Sequence, residues 1–276
     1  MLEFLLALVL LWILALRCRR NRPGLADLRN WSYAHRGLHG PGVPENSMAA
    51  FRAALDGGFG VELDVHLLKD GNLAVMHDSL LNRTTGQAGR MEDLTTEDLK
   101  HYFLEGTAET IPEFGQVLAL FGGRAPLIIE LKSADGNHAA LTEAACKLLE
   151  GYPGPFCMES FDPKCVAWLR KNRPDIIRGQ LAENFFRSRN DLPDHLKFLA
   201  TNLLFNFLTV PDFIAYKFAD RNTTPSTVLC RKLWRAQGVS WTLRTREEYD
   251  TAVSEGWLPI FEGFLPDKPR LPEGEE

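Results

Sequence analysis

Short runs of β-forming residues alternate with helical stretches along most of the chain, and this alternation limits the possible fold more than any other feature. It is typical of βα units around a parallel or mostly parallel sheet. A length of 276 residues suits one α/β barrel or two smaller domains, and one barrel is the simpler interpretation. The predicted strands are Trp31 to Ala34, Gly60 to Leu67, Leu73 to Met76, Pro126 to Leu131, Pro155 to Glu159, Ile176 to Gln180, Leu203 to Phe207, Ser240 to Leu243 and Pro259 to Phe261.

These runs are one more than an eight-stranded barrel needs, and the Asp70-Gly71 pair explains the surplus. This pair separates two runs and is a strong hairpin signal. We expect the second run to return antiparallel to the first, as an irregularity in an otherwise (β/α)8 barrel. If Asp70 and Gly71 are the two turn residues, His77 lies opposite Asp64. The pattern therefore predicts a histidine beside a candidate metal ligand.

The stretches between strands carry helix signals. Asn46 is the predicted N-cap of a first amphipathic helix, and Gly57-Gly58 ends it. Each later predicted helix is followed within a few residues by a predicted strand, as βα units require. These helices are Ala139 to Leu149, Pro163 to Asn172, Pro225 to Gln237 and Arg246 to Glu255.

An apolar stretch from Leu2 to Leu16, interrupted only by Glu3, opens the chain. Four arginines follow it, whereas a cleaved signal would carry its charge first and end in small residues. The stretch is short for a spanning helix of about 20 residues, but snorkelling arginines extend its effective length. We expect a membrane anchor with the catalytic domain in the cytoplasm, because positive charge favours that side. The alternative is a hydrophobic helix packed on the domain or lying in the interface.

The chain thus divides into three parts. Residues 1–22 are the hydrophobic anchor helix with its basic flank, residues 23–265 are one catalytic barrel, and residues 266–276 are a proline-rich, charged tail that we expect to be loose. The net charge of -5 offers no basic surface for nucleic acid, which we exclude as a partner. The five cysteines show no metal-binding spacing and indicate reduced thiols in a cytosolic compartment.

Three carboxylates can form a metal site. Glu62 and Asp64 are two residues apart on a predicted strand and share one face. Glu130 follows a buried apolar run at the C-terminal end of its strand, where α/β barrels build active sites. Hard oxygen ligands favour Mg²⁺ or Ca²⁺ over zinc. Lys132 shares the face of Glu130 and can neutralise a phosphate oxygen. The alternatives are a solvent-facing acidic pair and an ordinary Glu-Lys ion pair.

Two histidines can move protons at a phosphate. His35 ends the first predicted strand beside Arg36, whose planar guanidinium suits a phosphate group. His35 and His77 can serve as general base and general acid on opposite sides of a scissile P–O bond. Glu45 can reach the metal or orient His35, and Trp241 can wall the pocket. Lone histidines and core tryptophans are more often structural, which is the alternative for each.

Six motifs occur in a fixed order along the chain: Ala34-His35-Arg36-Gly37, Pro44-Glu45-Asn46-Ser47, Glu62-Leu63-Asp64-Val65, Lys69-Asp70-Gly71, His77-Asp78 with Arg83-Thr84-Thr85, and Ile129-Glu130-Leu131-Lys132. In order, spacing and residue type they resemble the motifs of the glycerophosphodiester phosphodiesterase family. The resemblance is dense from His35 to Lys132 and continues more thinly through Ser160-Phe161 and Trp241-Thr242.

This resemblance implies a (β/α)8 phosphodiesterase that uses one divalent metal ion, Mg²⁺ or Ca²⁺. It implies Glu62, Asp64 and Glu130 as metal ligands, with His35 and His77 as acid and base. In the family mechanism the glycerol 2-hydroxyl attacks phosphorus to expel the alcohol, and water then opens the cyclic phosphate. The metal and basic side chains would stabilise the growing negative charge. The expected products are glycerol 3-phosphate and an alcohol, from a soluble diester or a lysophospholipid.

The chain departs from the family pattern at two places. It has Leu243-Arg244 where family members often have an asparagine, and Phe261-Glu262-Gly263-Phe264 where many have a Thr-Asp-Tyr-Pro-like strand. Both concern the far rim of the pocket and therefore substrate preference more than the reaction. Two other functions stay open: a lysophospholipase D-like or phospholipase C-like membrane phosphodiesterase, and a catalytically silent phosphodiester-binding module. The complete set of metal and proton-transfer candidates favours an enzyme over the silent module.

Overall fold

A closed parallel barrel forms the centre of the molecule. The computed structural model describes residues 1–20 and 24–266, and in these ranges eight parallel strands follow one another around the barrel. A ninth strand, β3, pairs antiparallel with β2. The strands are β1 Tyr33–His35, β2 Gly60–Leu67, β3 Leu73–Val75, β4 Leu127–Leu131, β5 Phe156–Ser160, β6 Arg178–Ala182, β7 Phe213–Lys217, β8 Gln237–Leu243 and β9 Trp257–Phe261.

Helices lie between most consecutive strands, and the predicted (β/α)8 fold with one N-terminal helix is confirmed. The α-helices are α1 Leu2–Ala15, α2 Leu25–Leu28, α3 Met48–Asp56, α4 Asn82–Thr85, α5 Phe114–Phe121, α6 His138–Leu148, α7 Pro163–Asn172, α8 Asp194–Thr201, α9 Asn206–Thr209, α10 Pro225–Lys232 and α11 Arg246–Ser254. Short 3₁₀ helices occur at Met91–Asp93, Thr96–His101 and Phe218–Asp220.

The predicted strand at Leu203 to Phe207 is wrong, because the chain there turns and enters α9. Strand β7 starts instead at Phe213, whose ring packs over β6. A Cβ atom at Gly179 would lie 2.0 Å from that ring, so the glycine makes room for it. Asp212 fixes the start of β7, since its carboxylate accepts the backbone N–H of Arg178 at 2.9 Å. A short apolar run does not by itself distinguish a strand from a helix.

Several helix ends also differ from prediction, those of α6 and α11 by a single residue. The N-cap of α3 is Ser47 rather than Asn46, because the Ser47 hydroxyl accepts the Ala50 backbone N–H at 3.1 Å. Helix α10 ends at Lys232, five residues before the predicted end, because Gln237 already belongs to β8.

The hairpin after β2 exists, but its register is shifted by one residue. The Leu68 N–H donates to the Asn72 carbonyl at 2.8 Å, so three residues rather than two form the loop. Asp64 consequently faces Met76, whose N–H reaches the Asp64 carbonyl at 3.1 Å. The prediction that His77 lies opposite Asp64 is therefore wrong, because a one-residue shift changes every cross-strand partner. His77 follows immediately after that position.

The N-terminal segment is joined to the barrel. Leu16 and Cys18 are 0% and 2% exposed and belong to the main core, although most of α1 before them is exposed. Arg19 forms an ion pair with Asp212. Among the helices within residues 1–20 and 24–266, none combines the length and apolar character that crossing a bilayer requires. The predicted tail lies outside the described residues apart from Pro266.

Candidate active site

The three predicted metal ligands lie together at the C-terminal end of the barrel. Glu62 and Asp64 point from β2, and Glu130 on β4 is the direct neighbour of Asp64 in the sheet. One carboxylate oxygen from each lies within 4.8 Å of the others. The three residues are only 3%, 1% and 7% exposed. The parallel register, with the alternation of side chains along β2, therefore creates a buried acidic cluster.

The surroundings of these carboxylates divide their charges unequally. Burial raises the pKa of Glu62 well above its usual value, and the charges of Asp64 and Glu130 raise it further. Burial alone would also raise the pKa of Asp64, but nearby Lys132, followed by His77, brings it well below its usual value. Without a cation, these surroundings therefore favour the ionised form of Asp64 and the protonated form of Glu62.

This arrangement fits a hard divalent cation. Three carboxylates converge, and Oδ1 of Asp64 is a buried atom without a hydrogen-bond partner among the described residues. A buried, unpartnered carboxylate oxygen is costly unless it meets a positive charge. Lys132 supplies part of that charge, with its Nζ 2.9 Å from Glu130 Oε1 and 3.6 Å from Asp64 Oδ1. Oxygen-only donors of this kind suit Mg²⁺ or Ca²⁺.

Arg36 lies over the same cluster. Its backbone N–H donates to Glu62 Oε2 at 3.2 Å, and its Nε lies 3.4 Å from Asp64 Oδ2. Arg36 has a φ of 55°, which turns the chain after β1 across the barrel end. Glu45 binds the Arg36 guanidinium at 3.0 Å and holds it on its other side. The Asn46 amide donates to Asp64 Oδ2 at 2.8 Å, a contact that the cap interpretation missed.

His35 is held by a carboxylate from the last strand. Its Nδ1 lies 2.5 Å from Glu262 Oε2, while its Nε2 is 3.9 Å from Glu62 Oε2. Strands β1 and β9 are neighbours in the barrel, which brings these two residues together. Burial lowers the pKa of His35 despite the Glu262 hydrogen bond, and that bond lowers the pKa of Glu262 to about 2. Because the ionised Glu262 carboxylate can only accept a hydrogen bond, this pairing favours the His35 tautomer that has its proton on Nδ1 and a lone pair on Nε2.

His77 has a matching arrangement. Its Nδ1 lies 2.6 Å from Asp78 Oδ1, and Arg83 binds the second oxygen of Asp78. Arg83 also reaches Glu45, with its Nη2 2.6 Å from Glu45 Oε1. Glu45 therefore joins the supports of Arg36 and His77 rather than contacting His35.

Both histidines share one small cavity with the acidic cluster. A cavity of about 40 Å³ at the barrel end is lined by His35, Arg36, Glu62, His77, Glu130, Glu159, Phe161, Leu181, Trp241 and Ile260. Trp241 forms one wall with Phe161, the rings meeting edge to face at 5.6 Å. The structure therefore collects the predicted metal, proton-transfer and pocket residues at one place, while their catalytic roles stay predictions.

Two carboxylates at this site, buried Glu159 and partly exposed Glu262, were not among the predicted site residues. Glu159 on β5 pairs with Glu130 in the sheet, and burial raises its pKa well above the usual value. Its position before Ser160-Phe161 was the available signal. Glu262 stood in the sequence only as a departure from the family pattern. Nothing in the neighbouring sequence indicates that Glu262 contacts His35, which lies 227 positions earlier in the chain.

A second, larger cavity opens beside His77. It has a volume of about 920 Å³, and its polar lining includes His77, Glu130 and Lys132. Apolar side chains line it as well, several of them from α8 and the segments that flank it. The apolar lining residues are Leu80, Leu131, Phe161, Pro163, Phe185, Leu192, Leu196, Ala200 and Phe205. This cavity is therefore amphipathic and adjoins the acidic cluster.

Comparison with known proteins identifies the family. The model of the glycerophosphoryl diester phosphodiesterase family matches residues 35–254. Glycerophosphodiester phosphodiesterase 1 of Bos taurus is 48% identical over 261 residues, which cover 82% of this chain and 76% of the relative. The Bacillus altitudinis glycerophosphodiester phosphodiesterase is 44% identical over 155 residues, 52% of this chain. The matches to the Bacillus altitudinis protein and to two other bacterial relatives span 61% to 65% of the length of those relatives.

The fold has the same affiliation. A solved Oleispira antarctica phosphodiesterase, in complex with the product sn-glycerol-3-phosphate, superposes with a TM-score of 0.69 at 21% identity. The superposition covers 85% of this chain and 93% of that one. With most of the chain matched by the family model and the barrel shared with this phosphodiesterase, the chain belongs to the glycerophosphoryl diester phosphodiesterase family.

Proposed function

We propose that this protein hydrolyses glycerophosphodiesters to glycerol 3-phosphate and an alcohol, with a divalent metal ion and the two histidines. The observation that carries the proposal is the shared cavity, where His35 and His77 face the acidic cluster. Each histidine has its Nδ1 bound by a carboxylate. This pairing fixes the tautomer and leaves the other ring nitrogen for proton transfer.

The pairing of His35 with Glu262 suits it to act first as base. His35 can take the proton of the glycerol 2-hydroxyl on Nε2 as that oxygen bonds to phosphorus. The P–O bond to the leaving alcohol breaks in the same step, and His77 supplies the proton that the alcohol needs. Water then opens the cyclic phosphate with the proton transfers reversed. The family resemblance is the source of this two-step scheme.

The remaining residues would stabilise charge. An Mg²⁺ or Ca²⁺ ion held by Glu62, Asp64 and Glu130 would withdraw electron density from the phosphoryl oxygens. Arg36 and Lys132 bring positive charge to the same place, and donors aimed at developing charge commonly supply much of a rate enhancement. Trp241 would close one side of the pocket.

Turnover of the purified full chain tests the proposal. Glycerol 3-phosphate release from glycerophosphocholine and glycerophosphoethanolamine is measured with Mg²⁺, Ca²⁺ and excess chelator. We expect chelation to abolish release and His35→Ala or His77→Ala to lower kcat at least about 100-fold. His101→Ala is the matched control, because His101 is exposed and distant in sequence from the site. Undiminished activity in either histidine variant would contradict the mechanism.

A second candidate is lysophospholipase D-like hydrolysis, and the amphipathic cavity favours it. A single-chain phospholipid has a charged diester beside an apolar chain, and this cavity is lined both by Glu130 of the acidic cluster with His77 and Lys132 and by apolar side chains. Its volume of about 920 Å³ is in the range of small-molecule sites. Product analysis on lysophosphatidylcholine separates the possibilities: choline release indicates D-type cleavage, and phosphocholine release indicates C-type cleavage. Binding without turnover under every metal would indicate a silent module.

We further propose that α1 attaches the enzyme to a membrane with the barrel on the cytoplasmic side. Apolar side chains are exposed along this helix, among them Leu2 at 72% and Phe4 at 67%. Large exposed apolar surfaces usually meet a lipid or protein partner. Helix α1 contacts α9, which carries exposed Phe207, close to the wall of the large cavity. Deleting residues 2–11, which spares buried Leu16, should move the protein from the membrane to the soluble fraction. Unchanged fractionation would contradict the attachment.

A further inference from the structure

A second group of metal-binding side chains lies next to the acidic cluster. A ring nitrogen of His35, a ring nitrogen of His39 and a carboxylate oxygen of Glu262 all lie within 4.8 Å of one another. Nδ1 is the His35 nitrogen that faces Glu262, at 2.5 Å from its Oε2. These residues come from the end of β1, the loop that follows it and the end of β9. His39 is not used by the proposed reaction.

His39 has a buried ring nitrogen that can bind a ligand. Nε2 of His39 is a buried atom without a hydrogen-bond partner among the described residues. The loop that carries it is fixed, because the His39 N–H donates to the Gly37 carbonyl at 3.0 Å and Gly40 pairs with Val43 at 2.9 Å. An ion can reach the group from solvent, since the side chain of Glu262 is 21% exposed.

The donor chemistry differs from that of the acidic cluster. Two imidazoles and one carboxylate suit Zn²⁺ and similar transition metals, whereas three carboxylates suit Mg²⁺ or Ca²⁺. Two arginines bring positive charge near this group: Arg36 beside His35, which Glu45 and Asp64 hold, and Arg244, whose Nη2 lies 3.2 Å from Glu262 Oε1. The Arg244 side chain is 60% exposed, and an exposed ion pair of this kind loses little when it opens.

We propose that His35, His39 and Glu262 form a transition-metal site whose occupancy stops turnover. The inhibitory part rests on the proposed function, and the binding part does not. A neutral imidazole carries one proton. When Zn²⁺ takes the Nδ1 lone pair of His35, the Nδ1 proton passes to solvent and Nε2 takes up a proton from solvent, so the single N–H of the ring resides on Nε2. His35 then has no lone pair to accept the substrate proton.

Binding is tested by titrating the full chain with Co²⁺, a spectroscopic substitute for Zn²⁺, while Mg²⁺ occupies the acidic cluster. We expect a visible absorption band that saturates at one equivalent and that Zn²⁺ abolishes. His39→Gln should weaken Co²⁺ binding at least about 10-fold, since loss of a ligand costs no less than loss of a supporting contact. His101→Gln is the control. No band in the wild type, or equal binding in His39→Gln, overturns the site.

Inhibition is tested separately by adding Zn²⁺ at saturating Mg²⁺ during glycerophosphocholine hydrolysis. We expect Zn²⁺ to inhibit the wild type and His101→Gln, with His39→Gln at least about 10-fold less sensitive. His39→Gln should keep the wild-type rate without Zn²⁺, which also shows that it is folded. Equal inhibition of all three proteins overturns the inhibitory role. Wild-type inactivity on every diester would refute the proposed function, while the Co²⁺ band would still decide the site.

Discussion

Nδ1 of His35 lies 2.5 Å from Oε2 of Glu262, a residue from the opposite end of the barrel sequence. Since the carboxylate fixes the tautomer of the proposed base, we expect Glu262→Gln to lower kcat about 10- to 100-fold with little change in KM. Glu262→Asp should recover part of the loss, because it retains the charge. Arg244→Gln is the control that leaves the carboxylate in place. Steady-state kinetics on glycerophosphocholine provide the measurement, and a wild-type kcat in Glu262→Gln would refute this role.

We expect Glu62→Gln to abolish turnover and yet stabilise the metal-free protein. Because burial raises the Glu62 pKa, the folded state binds a proton more tightly than the unfolded chain. The stability from that protonation is complete below the unfolded pKa of about 4.3 and is lost as pH rises through the raised folded value. Near pH 8 the variant has no charge to bury at this position, so its free energy of unfolding should exceed that of the wild type by about 1–2 kcal/mol. Urea unfolding in chelator measures this, and destabilisation at that pH would contradict it.

Metal binding should release protons. The raised pKa of Glu62 favours its protonated form in the metal-free cluster, and Glu62 must ionise to coordinate a cation, so the affinity for Mg²⁺ or Ca²⁺ should rise with pH. Calorimetric titration near pH 7 in buffers of different ionisation enthalpy measures the number of protons released. We expect up to about one proton per metal ion, and less in Glu62→Gln. Identical heats in all buffers would mean that Glu62 is already ionised.

The contacts of Asp212 with Arg19 and Arg178, which we call the seam, join the N-terminal segment to the barrel and should contribute strongly to stability. Asp212 is buried and binds Arg19 through both carboxylate oxygens, as well as the Arg178 N–H. Removing one partner of a buried pair leaves the other charge uncompensated, so Asp212→Ala should lower the free energy of unfolding by about 3 kcal/mol. Asp194→Ala, at an exposed ion pair with Lys197, should cost less than about 0.5 kcal/mol. Equal effects in urea unfolding would contradict the seam's role.

The large cavity should discriminate between substrates with and without an acyl chain. Ala200 on α8 lines the apolar wall, so Ala200→Trp would fill the space that an acyl chain needs. If lysophospholipids bind there, kcat/KM for lysophosphatidylcholine should fall at least about 10-fold, while glycerophosphocholine hydrolysis stays near wild type. Ala200→Val, a smaller change, is the matched control. A parallel loss on both substrates would indicate damage to the barrel instead.

The predictions that succeeded rest on local periodicity and on linked motifs. Strand β2 was predicted at its observed limits, because alternation within one strand fixes which residues share a face. Glu62 and Asp64 therefore lie together as expected. The prediction of a strand at Leu203 to Phe207 was wrong because a short apolar run is compatible with a helix as well as with a strand. The position of β7 depends instead on the fit of the Phe213 ring over Gly179.

The hairpin separates the two levels of information. Asp70-Gly71 encodes a reversal, but the extra loop residue is decided by how the second strand packs, and it shifted His77 from its predicted place opposite Asp64. His77 still reaches the cavity, since the segment after β3 crosses the barrel end.

By itself, the sequence determined the barrel, the acidic pair on β2 and the family, because strand periodicity and motif order are local properties of the chain. The tertiary structure alone decided which distant groups support the site. It brought Glu262 to His35, Glu45 to Arg83 and Arg19 to Asp212. Those pairs depend on which segments become neighbours when the barrel closes. The spacing of residues along the chain does not indicate which of them lie close together in the folded barrel.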